Sequence, residues 1–178
     1  MGLFDRVSKL SPMVKQNETD TDTATSSVTR TLELIGDSWT LLIIRDAFLG
    51  VTRFDEFQRH LGVARNVLSA RIKRLVDAEI MQRSIYVQRP VRYEYLLTQR
   101  GKDLLPVIVT LRQWGDKWLC QDNQPLFTVS HGDCGGTPTG AIRCEKCDAT
   151  VTSVDQIEWV VNLGASGTYK ADGAVRHL

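Results

Sequence analysis

The feature that most constrains the fold of this chain is a change in the spacing of its apolar residues. Up to residue 78 they recur every three or four positions, which is typical of helices. Between Met81 and Leu97 they alternate with polar residues in two runs, which Gln88, Arg89 and Pro90 separate. Two alternating runs joined by a short loop predict a β-hairpin. Helical spacing returns after Leu97, so the pattern predicts an α+β domain with a hairpin between helices.

Four helices are predicted before the hairpin and one after it, at residues 28–35, 39–48, 53–61, 65–78 and 99–118. Gly62 provides a tight turn between the third and fourth helices, so that these two form a helix-turn-helix unit. Pro106 lies inside the last helix and should bend it or leave one carbonyl unpaired. The residues expected to cap helix starts are Asp37 or Ser38 for the second, Thr52 for the third and Thr98 for the last. The predicted fold is a winged helix-turn-helix.

The fourth helix presents a polar side opposite its apolar positions Leu68 and Leu75. This side and its flanks comprise Asp77 and the six candidate DNA-binding residues, which in chain order are Arg65, Asn66, Ser69, Ala70, Lys73 and Arg74. The amino end of a recognition helix enters the major groove, so the first three of these are expected to meet base edges or nearby phosphates. Lys73 and Arg74 suit phosphate contact. A solvated helix face is the alternative interpretation of this pattern.

The hairpin tip adds Arg89 and Arg92, which could reach a DNA backbone or a minor groove. The net charge of the chain is only +1, but residues 62–100 carry eight Lys and Arg against three Asp and Glu. A local basic surface on a nearly neutral protein indicates a polyanionic partner for one face. The basic helix and the basic hairpin together predict binding to double-stranded DNA.

Four short motifs occur within residues 28–119, namely Ile35-Gly36-x-x-Trp39, Arg53-Phe54-x-Glu56, Leu68-x-x-Arg71 and Tyr95-x-Leu97-Thr98. As a set, they make this part of the chain resemble the HxlR family of bacterial transcriptional regulators. The resemblance implies a DNA-binding homodimer that represses or activates nearby genes. It also implies dimer contacts from the first helix and from the helix after the hairpin, here residues 28–35 and 99–118.

The chain departs from the HxlR pattern at two places. Many members have Cys-Pro just before the first helix, and in several of them the Cys senses electrophiles or oxidants, whereas this chain has Ser26 and Ser27. A hydroxyl has no thiolate chemistry at neutral pH, so that sensing route is not expected and the effector stays unspecified. Ala64 stands where the family usually has a Ser that caps the recognition helix, and it cannot provide that cap.

The last third of the chain contains His131-x2-Cys134-x9-Cys144-x2-Cys147. A two-residue gap lets both ligands of a tight turn face one ion, and four N and S ligands suit tetrahedral Zn²⁺. This spacing predicts a zinc-ribbon-like extension with structural zinc. A metal-free remnant and a redox dithiol are the alternatives. Cys120 is expected to be a free thiol at the end of the long helix.

Four segments follow from these patterns. Residues 1–27 are expected to be a disordered tail, 28–119 the DNA-binding and dimerisation domain, 120–163 the zinc-ribbon-like extension, and 164–178 a flexible tail. Within the extension, short strands are predicted at 127–129, 141–143 and 150–152, and a closing helix is predicted to start near Ser153.

The function that these features predict is transcriptional regulation by a homodimer on a palindromic operator, without enzymatic activity. A protein-interaction module without specific DNA binding is one alternative. A thiol oxidoreductase that uses Cys144 and Cys147 is another, although the βαβ setting of such sites is missing from the pattern. No apolar stretch is long enough to span a membrane, and the first ten residues lack the apolar core of a signal peptide. A cytoplasmic protein without membrane contact is therefore expected.

Overall fold

The computed structural model describes residues 26–120, 128–153, 156–157, 159–162 and 168–171. The predicted tail over 1–27 therefore lies outside the described residues except for Ser26 and Ser27. Within the described part no helix combines the length and apolarity needed to cross a bilayer. The helices are α1 (Ser27–Ile35), α2 (Ser38–Phe48), α3 (Phe54–Leu61), α4 (Arg65–Asp77), α5 (Gln99–Lys102) and α6 (Leu105–Trp118). The strands are β1 (Met81–Gln88), β2 (Val91–Leu97), β3 (Ile142–Arg143), β4 (Thr150–Val151), β5 (Trp159–Asn162) and β6 (Thr168–Ala171).

One apolar core holds the helix-turn-helix together. Its most buried side chains come from α2, α3, α4 and the start of β1, and they are Ile43, Ile44, Phe57, Leu68, Leu75 and Met81, each at most 1% exposed. Burial of side chains of this size stabilises a fold by about 1.5–3 kcal/mol each relative to exposure. The core therefore fixes α3 and α4 against α2 and leaves the opposite side of α4 free.

The predicted hairpin, here called the wing, is formed by β1 and β2. The strands pair antiparallel from Met81 opposite Leu97 to Gln88 opposite Val91. The wing also has a short third partner that the sequence did not reveal. The Tyr95 N–H donates to the Thr52 carbonyl over 2.7 Å, and Arg53 forms a bridge with Glu94. The start of α3 is thus attached to the wing.

Most of the predicted helix ends are confirmed. Asp37 caps α2 by accepting from the Thr40 N–H, and Thr98 caps α5 by accepting from the Gly101 N–H. Gly62 ends α3 with a left-handed φ of 62°. The prediction that Thr52 caps α3 is wrong. Its carbonyl pairs with the wing instead, and α3 begins after Arg53, whose N–H donates to the Glu56 carboxylate over 3.3 Å.

The single long helix predicted after the wing is two helices. The chain turns after Lys102, and α6 begins at Leu105 with Pro106 in its first turn. The first turn of a helix has N–H groups without intrahelical partners, so a proline there costs no hydrogen bond. The prediction that Pro106 bends a long helix or leaves one carbonyl unpaired is therefore wrong, because Pro106 lies where a new helix starts.

The strands β3 and β4 pair as a hairpin, and each falls within one of the two segments, 141–143 and 150–152, where strands were predicted. Of the strand predicted at 127–129, the described residues 128 and 129 are irregular. The prediction of a closing helix is wrong, because β5 and β6 form an antiparallel hairpin with Trp159 opposite Ala171. Trp, Val and Tyr favour strands, and this preference prevails over the helical spacing of Val160 and Val161. The strand β6 also falls inside the tail that was expected to be flexible.

Candidate nucleic-acid interface

The fourth helix, α4, buries one side and exposes the other. Leu68, Ile72 and Leu75 point into the core. The exposed residues include Asp77 and all six predicted DNA-binding residues, namely Arg65, Asn66, Ser69, Ala70, Lys73 and Arg74. Because the core holds the inner side, these six side chains are presented together on a fixed helix.

The start of α4 has no side-chain cap. Ala64 occupies the capping position with extended backbone and supplies no acceptor, as the sequence predicted. The first N–H groups of a helix carry its partial positive charge, and they bind phosphate oxygens readily. The amino end of α4 therefore retains donors for water or for a phosphate.

Arg65 lies against α3. Its Nη1 is 3.8 Å from Asp55 Oδ1, and its guanidinium lies 5.0 Å from the centre of the Phe54 ring. The Arg65 and Asp55 side chains are 72% and 81% exposed. An ion pair this exposed stabilises a protein by only about 0–1 kcal/mol. A guanine edge or a phosphate can therefore replace Asp55 at little cost.

A cleft of about 370 Å³ separates α4 from the wing, and we call it the basic cleft. Ser69 and Lys73 line it from α4, and Arg83 lines it from β1. Lys73 Nζ lies 2.5 Å from Asp77 Oδ2 one turn further along the helix, so part of its charge is balanced. The structure thus brings together two predicted residues and one that was not predicted.

Arg83 is the side chain at this cleft that sequence reasoning missed. It has the same strand phase as Met81 and Ile85, which are apolar positions of the first alternating run. Its guanidinium lies 4.2 Å from the centre of the Tyr93 ring on β2. A charged residue in an apolar strand phase beside the candidate helix was the available signal in the sequence.

The wing tip carries the other two predicted residues. Arg89 and Arg92 are both exposed, and neither lines the basic cleft. Arg53, at the base of the wing, stacks 4.7 Å from the centre of the Tyr86 ring. Basic side chains are therefore present at the tip, at the base and in the cleft.

Asp37 connects α4 to α2. Arg71 Nε donates to Asp37 Oδ1 over 2.9 Å, and both the backbone N–H and the hydroxyl of Thr40 donate to the same carboxylate. Burial alone would raise the pKa of Asp37, but the hydrogen bonds from Thr40 and the charge of Arg71 outweigh it, so the pKa lies below its ordinary value. The ionised carboxylate therefore fixes the orientation of the recognition helix.

The helices α1 and α6 each expose apolar side chains on the side that faces away from the core. On α1 these are Val28 and Leu32, which are 65% and 60% exposed. On α6 they form a line that we call the apolar stripe, consisting of Val107, Leu111, Trp114 and Trp118, which are 44%, 51%, 56% and 63% exposed. The spacing of four, three and four residues places the stripe on one side of α6. An exposed apolar surface of this kind marks an interaction site.

The two His/Cys pairs adopt similar turns. The Gly135 N–H donates to the His131 carbonyl, and the Asp148 N–H donates to the Cys144 carbonyl, each over 2.8 Å. The residue after each pair is left-handed, with φ of 69° at Gly135 and 58° at Asp148. We call the turn that contains His131 and Cys134 the first His/Cys turn, and the turn that contains Cys144 and Cys147 the second.

Within each turn the ligand-type atoms face one another. Cys134 Sγ lies 3.4 Å from His131 Nδ1 and accepts from the Gly136 N–H over 3.4 Å. The N–H groups of Cys147 and Lys146, followed by the Cys147 thiol, lower the pKa of the Cys144 thiol. Donors directed at sulfur favour the thiolate that binds a metal. Among the described residues, however, no three His, Cys, Asp or Glu side chains lie close enough to share one metal ion.

The segment between the two turns contacts α6. Gln113 Oε1 accepts from the Gly140 N–H over 2.9 Å, and Gln113 Nε2 donates to the Pro138 carbonyl over 3.5 Å. A Cβ at Gly140 would lie 2.1 Å from Cγ2 of Thr110, so only glycine fits this approach. The Cys-containing segment is thus held against the helix that carries the apolar stripe.

Comparison with known proteins agrees with this arrangement. Residues 34–123 match the family described as HxlR-like helix-turn-helix. An uncharacterised HTH-type transcriptional regulator of Mycobacterium tuberculosis is 42% identical over 127 residues, which cover 71% of this chain and 80% of the relative. The crystal structure of PA1607, described as a transcription factor, matches with a TM-score of 0.66 at 35% identity and covers 75% of this chain and 93% of its own. PA1374 from Pseudomonas aeruginosa, also described as a transcription factor, matches with a TM-score of 0.54 at 33% identity and covers 80% and 94%.

Proposed function

Because the chain belongs to the HxlR-like helix-turn-helix family and is a DNA-binding transcriptional regulator, we propose that it reads its operator through α4 and the wing. The observation that supports this most directly is the exposure of all six predicted side chains on one side of a helix whose other side is buried. Recognition helices of this fold enter the major groove. The wing then contacts the adjacent backbone or minor groove.

Each side chain of α4 has a role that its chemistry supports. Arg65 and Asn66 suit paired hydrogen bonds to guanine and adenine, and Ser69 suits either base. The methyl group of Ala70 suits contact with a thymine methyl. Lys73 and Arg74 suit phosphates. The wing would add Arg89 and Arg92 at the tip and Arg83 in the basic cleft.

The regulator acts as a homodimer in this proposal. The exposed residues of α1 and the apolar stripe of α6 supply the apolar surface that a subunit interface needs. A two-fold dimer places two copies of α4 on one side of the DNA, with half-sites separated by about one helical turn of 10–10.5 base pairs. The operator is therefore expected to be a palindrome or close to one.

The test is fluorescence anisotropy with a labelled duplex from the upstream region of the gene, next to a scrambled duplex of the same composition. Both are titrated at low and at moderate salt, because non-specific binding weakens steeply as salt rises. A preference for the native duplex that survives moderate salt supports the proposal. Equal affinity for both duplexes that disappears with salt would contradict operator reading.

We also propose that the two His/Cys turns together bind one structural Zn²⁺ through His131, Cys134, Cys144 and Cys147. The donor set suits zinc, and each turn by itself directs its two ligand-type atoms toward each other. A bound ion would join the two turns and stabilise a segment that has little apolar core of its own.

Metal analysis of protein purified under reducing conditions tests this site. We expect about one zinc per chain, a loss of that zinc in Cys144→Ser, and retention of zinc in the control Cys120→Ser. Absence of zinc from the unmodified chain would favour the metal-free remnant. A reversible Cys144–Cys147 disulfide in its place would favour the redox dithiol.

A further inference from the structure

A cavity of about 370 Å³ lies between α2, α6 and residues 128–130, away from the basic cleft. Its walls are mainly apolar, and two arginines contribute to the lining. The lining side chains that matter here are Phe48, Leu49, Ile108, Val109, Arg45 and Arg112. Apolar cavities of this size with a few convergent polar groups are typical of small-molecule sites.

Arg112 is the unusual residue of this cavity. Its side chain is only 9% exposed, and its Nη1 pairs with Asp116 Oδ2 over 3.2 Å. Its Nε is buried, and in the described part of the chain it has no hydrogen-bond partner. A guanidinium stays charged when buried, so an unpaired N–H on it is costly. Arg112 therefore lacks an acceptor that a ligand oxygen would provide.

Arg45 reaches the same cavity from α2. Its Nε and Nη2 both donate to Asp46 Oδ1, over 2.9 Å and 2.7 Å. This pairing uses one edge of the guanidinium. Arg45, Ile108 and Arg112 also line a neighbouring hollow of about 250 Å³. Arg45 and Arg112 are thus each paired with one carboxylate, and both line the cavity and the neighbouring hollow.

The cavity lies on a different side of α6 from the apolar stripe. At about 100° per residue, Val109 and Arg112 point nearly opposite to Trp114. Leu111 lies between these two directions and lines the neighbouring hollow together with Arg112. None of the stripe residues lines the cavity, so a second copy of the chain packed on Trp114 would not fill it. None of the residues that line the basic cleft lines this cavity.

We propose that this cavity binds a small apolar monocarboxylate. The carboxylate would accept from Arg112 and Arg45, and the hydrocarbon part would pack on Phe48 and Val109. An anion is favoured over an uncharged ligand because a charged acceptor forms the stronger hydrogen bond to a guanidinium N–H. The site joins α2 of the DNA-binding core to α6, so occupancy would alter operator affinity; this last consequence rests on the proposed function.

Isothermal titration calorimetry of the full chain without DNA tests the site. The probes are naphthoate, phenylacetate and octanoate, which are bicyclic, monocyclic and aliphatic monocarboxylates. Naphthamide serves as the uncharged isostere of naphthoate. We expect saturable binding of at least one acid with one site per chain, and binding of naphthamide that is at least about tenfold weaker than that of naphthoate. Absence of saturable binding for all three acids, or equal binding of naphthamide and naphthoate, would overturn the proposal.

Two variants locate the binding. Arg112→Gln removes the charge, and we expect it to weaken acid binding at least about tenfold, as Arg45→Gln should also do. Arg100→Gln is the matched control, since Arg100 is exposed on α5 and lines neither hollow. Circular dichroism establishes that each variant is folded. If Arg112→Gln does not fold, acid binding is compared between Arg45→Gln and the unmodified chain instead. Unchanged acid binding in folded variants would place the ligand elsewhere.

The same acid is then added to the anisotropy titration with the native duplex. A shift in duplex affinity that Arg45→Gln abolishes supports coupling between the cavity and the operator. Calorimetric binding without specific duplex binding would retain the cavity and reject the regulator function. Specific duplex binding without calorimetric binding would retain the regulator and reject the cavity.

Discussion

At the scale of single residues, Asp37 shows how one carboxylate serves two elements. It caps α2 through Thr40 and holds α4 through Arg71, and the sequence predicted only the cap. Capping is local, because the acceptor and the N–H lie three residues apart. The pairing with Arg71 spans 34 residues and depends on how α2 and α4 pack. Sequence reasoning finds the first kind of contact and misses the second.

Asp37→Asn should lower the free energy of unfolding by about 1 kcal/mol near neutral pH, since Asn retains the cap and loses the ion pair. The folded pKa of Asp37 is lowered, so its stabilisation is full above the unfolded pKa of about 3.9 and is lost as pH falls through the folded value. Urea unfolding near pH 7 and below about pH 3 should therefore show a difference that disappears in acid. Asp55→Asn, which alters an exposed pair, is the control. An equal difference at both pH values would contradict this role.

Arg65→Ala should weaken binding to the native duplex and relax the preference for one base pair by about 1–3 kcal/mol. Arg89→Ala should weaken binding to native and altered duplexes alike and reduce the salt dependence, because it removes a backbone contact. Anisotropy with duplexes altered at single base pairs distinguishes the two effects. Arg100→Ala removes the same charge outside the basic cleft and should change little. Equal, sequence-independent losses from Arg65→Ala and Arg89→Ala would exclude base reading by Arg65.

At the scale of elements, local periodicity was sufficient to predict the first four helices and the wing. The exposed side of α4 and the turn at Gly62 follow from spacing within a few residues. The break between α5 and α6 was missed because the apolar spacing continues across it. The hairpin of β5 and β6 was missed because short apolar runs fit either a helix or a strand.

The apolar stripe of α6 gives the prediction at this scale. Trp114→Ser should raise the dimer dissociation constant at least about tenfold, since truncating a large aromatic at the centre of an interface costs about 2 kcal/mol or more. Light scattering over a dilution series measures it. Leu119→Ser removes an apolar side chain that is also exposed but lies outside the stripe, and should leave the assembly unchanged. A Trp114→Ser chain that dimerises normally would place the subunit interface elsewhere.

At the scale of the whole molecule, the contact between Gly140 and α6 joins the Cys-containing segment to the winged part. No motif in the sequence indicated this contact, because it depends on a glycine meeting a helix thirty residues earlier. Gln113 supplies both hydrogen bonds. The segment between the His/Cys turns is thus attached to the helix that carries the apolar stripe and lines the cavity.

Gly140→Ala should separate this segment from α6. The new methyl group would overlap Thr110, and overpacking of this kind costs about 1–3 kcal/mol. Hydrogen exchange at the Gly140 position, where the N–H donates to Gln113, should accelerate. Gly132→Ala is the matched control, because nothing lies within 4 Å of the added Cβ. Unchanged protection in Gly140→Ala would show that the segment is held by other contacts.

The pairing of Thr52 with Tyr95 has a mechanical consequence for the protein on DNA. The residues that lead into α3 are bonded to the wing, and α3 in turn is packed on α4. The helix that we propose enters the major groove and the hairpin beside it are therefore linked through α3, which sets the distance between them. A duplex whose grooves match that span is bound without distortion, whereas any other must bend at its own energetic cost. Bendability of the base steps between the two contacts then contributes to operator choice even where no side chain touches a base.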